Sequence, residues 1–280
     1  MFYLIHKKTG ISSFEAISKF RRENKIKKIG HSGTLDPLAE GLLLAATDED
    51  TKLLEYISNK TKEYIVEGVF GYETDTYDIL GKVINITDNK VTEEVLNKKL
   101  EELSETRSQV PPKFSAKKIN GVRAYELARN DMDFEIKEQK IKIFDYKLLS
   151  FDFAKQTYRI YFKVSEGCYI RSLVNDLGLL CKNYSTMTKL ERNGIGVLHI
   201  SMLNGKEFAE INYKDILNLP IFIYNQKQRE YLKNGNKLTN INNKNDEVVL
   251  LINGDTNEIG GVAKIFNNEL IVKKIFPNKI

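Results

Sequence analysis

The sequence predicts an α+β fold, with one large domain over residues 1–215 and a small all-β module over residues 216–280. Stretches of alternating or β-branched residues, typical of strands, are interspersed with stretches that repeat apolar residues at helical spacing. After about residue 215 the composition shifts to short apolar runs between asparagine- and glycine-rich turns, one of them at 240–245. A chain of 280 residues can bury one large core together with a small one.

The N-terminal region predicts a strand followed by a helix. The apolar run Met1–Ile5 precedes a basic stretch, which is the reverse order of a secretory signal and is typical of a first strand. The segment 12–23 begins with a capping box, in which a serine accepts the backbone N–H of the glutamate three residues later. Phe14, Ile17 and Phe20 follow at helical spacing, so we expect an amphipathic helix.

The middle of the chain predicts two helices, a strand and an extended arm. Residues 51–58 and Thr92–Leu103 have helical spacing, whereas Glu63–Tyr72 alternates in the manner of a strand, with Tyr64 on its apolar face. Val110-Pro111-Pro112 must be extended, because a proline disfavours the α region in the residue before it. We expect a loop or arm to follow.

The third quarter of the chain predicts a hairpin and a helix. Residues 140–165 are rich in β-branched and aromatic residues with a break at 154–156, which indicates two long strands. Residues 169–182 return to helical spacing. In the tail, apolar runs such as Val248–Ile252 and Leu270–Val272 predict the strands of the small module.

Composition narrows the class of protein. No run approaches the roughly 20 apolar residues that a membrane span needs, so we expect a cytoplasmic protein without a membrane partner. Lysine and arginine number 43 against 38 acids, a net charge of +5 that favours an anionic partner without identifying it. Cys168 and Cys181 lack zinc-site or CxxC spacing, so we expect no disulfide and no metal.

The most informative stretch is the glycine-rich segment from Gly30 to Leu43, in which Asp36 is followed by Pro37. An Asp-Pro pair by itself is typical of a turn. Here the neighbouring glycines permit close approach of a partner to the backbone, and the apolar run that follows would anchor the segment on a buried element. A carboxylate held in this way is a candidate catalytic group.

This segment closely resembles the G-H-x-G-T-L-D-P motif of the bacterial tRNA pseudouridine-55 synthases, whose aspartate is catalytic. Five further segments resemble motifs of that family and occur in its order: His6–Ser13, Lys62–Tyr64, Thr74–Gly81, Val110–Ala116 and Gly167–Leu173. The resemblance is strong over residues 3–200 and weak in the tail. It implies a mixed, mostly antiparallel sheet with flanking helices, followed by a reduced PUA-like RNA-binding module.

The resemblance implies a role for each matching residue. Asp36 would act on a uridine flipped out of the TΨC loop of tRNA, since an enzyme cannot reach a stacked base. Whether it attacks C1′ of the sugar, attacks C6 of the ring or assists elimination to a glycal stays open. Arg171 would hold the aspartate, Tyr64 would stack on the base, and His31 would insert where the base had been. No cofactor is implied.

The same resemblance implies contacts with RNA. Lys7 and Lys52 would contact phosphates, Lys113 and Lys117 would belong to a basic arm over the T stem-loop, and Leu190 would contact the substrate. In the family the PUA-type module meets the acceptor stem, so we expect tRNA as the partner and no obligate protein partner.

Three other interpretations remain at this point. The chain could be a non-catalytic RNA-binding or RNA-folding protein that uses Asp36 only structurally, or a pseudouridine synthase that acts on a different RNA. Retention of Asp36, Tyr64 and Arg171 together argues against the first, because pure binding requires no paired carboxylate. A metal-dependent nuclease would require clustered carboxylate and histidine ligands, which the sequence lacks.

Overall fold

Strands and helices are interspersed along the chain, as the sequence predicts. The computed structural model describes residues 1–280 except 131, 240 and 242–245. The strands are β1 (Phe2–Lys7), β2 (Ile29–Ser32), β3 (Glu40–Thr47), β4 (Lys62–Phe70), β5 (Tyr72–Thr74), β6 (Val83–Ile86), β7 (Ser108–Gln109), β8 (Lys118–Ile119), β9 (Val122–Arg123), β10 (Gln139–Lys140), β11 (Ile143–Asp152), β12 (Thr157–Val164), β13 (Ser185–Ile195), β14 (Leu198–His199), β15 (Phe208–Ile211), β16 (Ile221–Tyr224), β17 (Leu238–Thr239), β18 (Glu247–Asn253), β19 (Ile259–Phe266) and β20 (Glu269–Ile275). The α-helices are α1 (Ser13–Glu23), α2 (Glu93–Ser104), α3 (Ala124–Arg129), α4 (Ile170–Leu180) and α5 (Gln226–Lys233), and 3₁₀ helices span Asp48–Tyr56, Ile200–Leu203 and Tyr213–Asp215.

A nine-stranded sheet forms the centre of the large domain, with the order β11-β12-β4-β13-β3-β1-β15 and with β14 and β2 attached at β13 and β3. Its pairs are antiparallel except for β13 and β3. This confirms the expected mixed, mostly antiparallel sheet. Helices α2 and α4 pack against it, and their apolar residues join one core cluster with those of β4 and β12.

Local sequence signals locate most elements within a few residues. Ser12 accepts the backbone N–H of Glu15 at 3.1 Å and begins α1 as a capping box predicts. Phe14, however, is 75% exposed, so the buried face of α1 is formed by Ala16, Ile17 and Phe20. The helix predicted at 51–58 is a 3₁₀ helix that begins earlier, at Asp48.

The alternation along β4 is regular from end to end. Lys62, Tyr64, Val66, Gly68 and Phe70 lie on its buried face. The side chains of a strand point alternately to its two faces. The same alternation that fills the core with apolar groups therefore carries Lys62 and Tyr64 inward at one end of the strand.

The C-terminal module has a five-stranded sheet in the order β16-β18-β19-β20-β17. The sheet is present as predicted, but the module is not all-β, because it also contains the helix α5. The turn predicted at 240–245 falls, except for Ile241, on residues outside this description. One face of the sheet packs against the large domain, because Leu250, Val262 and Phe276 share a core cluster with Phe2 and Leu42.

Polar contacts reinforce this shared core. Asp50, which is 4% exposed, accepts hydrogen bonds from the ammonium group of Lys279 at 2.8 Å and also pairs with the amino group of Met1. Asp50 therefore connects the large domain with the end of the C-terminal module. Within the part of the chain described, no helix combines the length and the apolar character needed to cross a membrane.

We expect Phe276→Ala to lower the free energy of unfolding of the whole chain by about 3–5 kcal/mol, because it removes a fully buried ring from the shared core. Phe266→Ala, at a ring that is 46% exposed in the same module, is the matched control and should change it little. Urea unfolding followed by circular dichroism measures both. A separate early transition for the module, or equal small losses in both variants, would contradict a shared core.

Candidate active site

A cavity of about 340 Å³ opens beside the loop that carries Asp36. Four parts of the chain line it: the loop 33–36, the buried face of β4, the segment 166–171 that leads into α4, and β13. Ala116 and Lys117 of the arm that follows Pro112 close one side. Segments far apart in sequence thus converge on Asp36.

Asp36 and Arg171 form an ion pair at the wall of this cavity. Arg171 Nε lies 2.8 Å from Asp36 Oδ2, although its N–H is not aimed at that oxygen, so the contact is electrostatic rather than a directed hydrogen bond. The Arg171 side chain is 5% exposed and that of Asp36 is 36% exposed. Asp36 therefore remains accessible from the cavity while its counterion is buried.

Arg171 also connects two other segments, one around Thr76 and Asp78 and one at Phe114. Its guanidinium donates to the carbonyl oxygen of Thr76 at 3.0 Å and to that of Phe114 at 2.9 Å. A second carboxylate, Asp78 Oδ2, lies 3.5 Å from Nη1 and is 7% exposed. A guanidinium has five donors in a fixed plane, so it can hold several acceptors in one geometry. The backbone of Arg171 is therefore held in α4, and its guanidinium is held by these acceptors.

The loop around Asp36 is fastened to α1 and β1. The hydroxyl of Ser13 accepts the N–H of Leu35 at 2.8 Å and donates to its carbonyl oxygen at 2.9 Å. Lys7 is fully buried and its ammonium group donates to the carbonyl oxygens of Lys8, Pro37 and Ala39. These contacts give the backbone on both sides of Asp36 a fixed path.

Lys7 and Lys52 do not lie where a phosphate contact would need them. Lys7 points into the protein beneath the loop that carries Asp36, so it positions that loop instead. Lys52 donates to the carbonyl oxygen of Ile275 at 3.1 Å and lies 5.2 Å from the ring centroid of Phe276. The ammonium group of Lys52 therefore serves the contact with the C-terminal module, which spacing along the sequence does not reveal.

Tyr64 is buried in the wall of the cavity, at 7% exposure. Burial raises the pKa of its phenol, and the neighbouring Arg192 guanidinium opposes part of that rise. The phenol is therefore neutral at neutral pH, suited to packing and hydrogen bonding rather than to removing a proton unaided. Leu190, also predicted, lines the same cavity from β13.

The remaining predicted residues lie around the opening. His31 is on β2, two residues before Gly33, and burial together with the charge of Arg192 lowers its pKa, so its ring is neutral at neutral pH. Lys117 lines the cavity and donates to the carbonyl oxygen of Lys137 at 3.0 Å. Lys113 is exposed on the arm. These three do not contact Asp36.

Two basic residues of the cavity were missed as functional candidates. Arg192, which is 1% exposed, donates to the carbonyl oxygens of Leu42 at 2.8 Å and Gly33 at 2.9 Å. Lys62 is 5% exposed and donates to the carbonyl oxygen of Lys60 at 3.1 Å. The sequence pattern that could have identified them is a charged residue at a position predicted to be buried in an alternating strand. Charged residues are rarely buried in this way unless they are paired.

Gly41 allows β13, which carries Arg192, to approach β3 closely. Gly41 is the register partner of Arg192 in the parallel pair of β3 and β13, with φ of +108°. A side chain there would collide with the Arg192 backbone. The strands can approach closely only because this residue has no Cβ.

Cys168 lies in the wall of the cavity. Burial raises the pKa of its thiol to about 12. The thiolate is the nucleophilic form of cysteine, so a thiol held neutral in this way is a packing group. Asp36 is the group with the exposure and the fixed geometry that a reaction would require.

Comparisons with known proteins agree with this geometry. Residues 21–170 match the family described as TruB family pseudouridylate synthase (N terminal domain). The chain is 41% identical to the tRNA pseudouridine synthase B of Mycoplasma mobile, with 100% of this chain and 96% of that protein covered. It is 39% identical to the protein of the same name from Fusobacterium nucleatum, with 96% of each covered.

Solved structures show the same fold at low sequence identity. A Cbf5-Nop10-Gar1 complex contains a chain with a TM-score of 0.66 and 18% identity, which covers 98% of this chain and 84% of that chain. An H/ACA RNP bound to a substrate RNA containing 2′-deoxyuridine gives a TM-score of 0.64 and 16% identity, with the same coverage. At these identities the likeness concerns the fold alone.

We expect Lys62→Met to stabilise the protein at neutral pH. Burial and the charge of Arg192 lower the pKa of Lys62 from 10.5 to about 8. Below pH 8 the lysine is charged in both states and the folded state bears the full cost, about 3 kcal/mol. Between pH 8 and 10.5 the unfolded state binds more protons, so wild-type stability rises with pH and the advantage of the variant fades.

Urea unfolding of both proteins at pH 7 and pH 10 measures this difference. Lys189→Met removes an exposed lysine from β13 and should change stability by no more than about 0.5 kcal/mol. A loss of stability in Lys62→Met at pH 7 would mean that the lysine is a structural residue.

Proposed function

The chain belongs to the TruB family of pseudouridylate synthases, and from that premise we propose that it converts uridine 55 in the TΨC loop of tRNA into pseudouridine, with Asp36 as the catalytic carboxylate. The protein is an isomerase, as are the tRNA pseudouridine synthases B that match it along its whole length. The observation that carries the role of Asp36 is its pairing with buried Arg171 at the wall of a cavity of about 340 Å³.

The cavity is suited to a single base outside the helical stack. Its walls are apolar on two sides, from Tyr64 and Leu190 on the sheet and Ile170 at the start of α4. A flat, neutral uracil ring can pack between such groups once the nucleotide is flipped out of the loop. Tyr64 contributes a neutral aromatic face to this packing, because burial keeps its phenol protonated.

Asp36 is proposed to act on the nucleotide held in this way. In the reaction the bond from C1′ to N1 breaks, a bond from C1′ to C5 forms, the hydrogen on C5 leaves to solvent and the released ring nitrogen takes up a proton. The change is redox neutral, so it requires neither cofactor nor metal. Asp36 Oδ2 lies against Arg171, which leaves Oδ1 for attack at C1′ or C6, or for stabilising charge during glycal formation.

The surface around the cavity is proposed to bind the T stem-loop. Lys117 at the wall and Lys113 on the exposed arm would contact the RNA backbone. His31 has a neutral ring, and a neutral ring can replace a flipped base in the stack without an unpaired charge. Residues 1–215 would form the catalytic domain and residues 216–280 a PUA-like module that meets the acceptor stem. We place the protein in the cytoplasm, with tRNA, and include no protein partner in the proposal.

We expect wild-type protein to release tritium from unmodified tRNA labelled at C5 of uridine, with no added metal, because isomerisation must expel that hydrogen. Asp36→Asn should reduce release to background while tRNA binding stays within about threefold of wild type. Asp75→Asn, at a carboxylate of the β5–β6 hairpin that does not line the cavity, is the control.

Three outcomes would contradict the proposal. If wild type bound tRNA without releasing tritium, the protein would be an RNA-binding or RNA-folding protein. If Asp36→Asn retained release, the carboxylate would be structural. If exhaustive chelation abolished activity while the tRNA stayed folded, the cofactor-free reaction would be wrong.

A further inference from the structure

Two cationic side chains converge at one point of the cavity wall. Lys62 begins β4, and Arg192 lies on the neighbouring strand β13 as the register partner of Tyr64. A methyl group built on the Cα of Gly33 would lie 3.2 Å from Lys62 Cε and 3.4 Å from Arg192 Nη1. Gly33 has φ of +78°, so the loop adopts a conformation that favours glycine and leaves space at this point.

These two charges are buried without a carboxylate partner. Within the described residues neither Lys62 nor Arg192 forms an ion pair, and their hydrogen bonds go to backbone carbonyl oxygens. Glu166, the acid whose charge acts on Lys62, lies at the rim with its side chain 56% exposed, 3.7 Å from Lys60. Asp36 is paired with Arg171. Burying a charge without a counterion is costly, so such groups are retained where an anion binds.

The positive potential also acts on the surrounding groups. Burial lowers the pKa of Lys7, of Lys62 and of His31, which lie on three different strands, and the charge of Arg192 lowers each pKa further, whereas the charge of Asp36 opposes the shift at Lys7. Because Lys7 is fully buried against carbonyl oxygens of the loop, it adds to this potential without being able to reach a ligand. The end of the cavity near Gly33 is therefore positive, whereas the part beside Leu190 and Ile170 is apolar.

We propose that Lys62 and Arg192 form an anion subsite that holds a backbone phosphate adjacent to the flipped uridine. This inference rests on the proposed function. Uracil and ribose are neutral, so they cannot neutralise two unpaired cations. The phosphodiester attached to that nucleotide is anionic and must lie close to the cavity when the base is inside. Ammonium and guanidinium groups form short, charge-assisted hydrogen bonds with phosphate oxygens. The subsite fixes the sugar relative to Asp36.

The experiment compares RNA stem-loops with a phosphodiester or an uncharged methylphosphonate at the linkage on the 5′ or the 3′ side of the target uridine, each tested separately. Wild type should lose roughly 10- to 100-fold in kcat/KM on one of the two neutral RNAs. Lys62→Met should lose a similar factor on unmodified RNA and little more on that neutral RNA, since the interaction is already absent. Lys189→Met should keep the wild-type sensitivity.

The outcomes separate the subsite from the proposed function. Independent, multiplicative losses from Lys62→Met and from both neutral linkages would overturn the subsite, as would full activity of Lys62→Met on unmodified RNA. Unfolding measurements on the same variant exclude misfolding as the cause of a loss. Wild type without activity on unmodified RNA would instead overturn the proposed function, and the subsite with it.

Discussion

The arrangement of the site depends on the contacts of the Arg171 guanidinium. It joins Asp36, the carbonyl oxygen of Thr76, Asp78 and the carbonyl oxygen of Phe114, so that one buried group fixes three segments that enter from different parts of the chain. A planar group with five donors can do this, whereas an ammonium group, a point charge on a flexible stem, cannot hold the same geometry. The accessible carboxylate thus has its position determined by a residue that solvent hardly reaches.

Much of the fold follows from local signals. The capping box at Ser12, the alternation of β4, the break at 154–156 and the helical spacing after Tyr169 depend on neighbours in sequence, and the structure has elements there. The exposure of Phe14 could not be predicted, because spacing marks a helix without deciding which apolar residues the rest of the protein covers. The shared core with the C-terminal module is likewise a long-range property.

Site residues could be predicted where a sequence motif identifies them. They could not be predicted where their role depends on burial in the folded protein. Asp36, Arg171, Tyr64 and Leu190 are brought to one cavity as the resemblance implies. The positions of Lys7, Lys62 and Arg192 in the site could not be predicted from the sequence, because strands distant in sequence create their environment. The sequence alone does not distinguish a buried lysine from a solvated one. The predicted phosphate contact at Lys52 is replaced by a contact with the C-terminal module for the same reason.

The most direct test of the central role of Arg171 is a double-mutant cycle on the single-turnover rate, with Arg171→Lys, Asp78→Asn and the two changes combined. If Asp78 acts by holding the guanidinium that holds Asp36, each single change slows the reaction by roughly tenfold or more, and the double variant is no slower than Arg171→Lys alone. Rate losses that multiply in the double variant would show that the two residues act independently and would contradict the account.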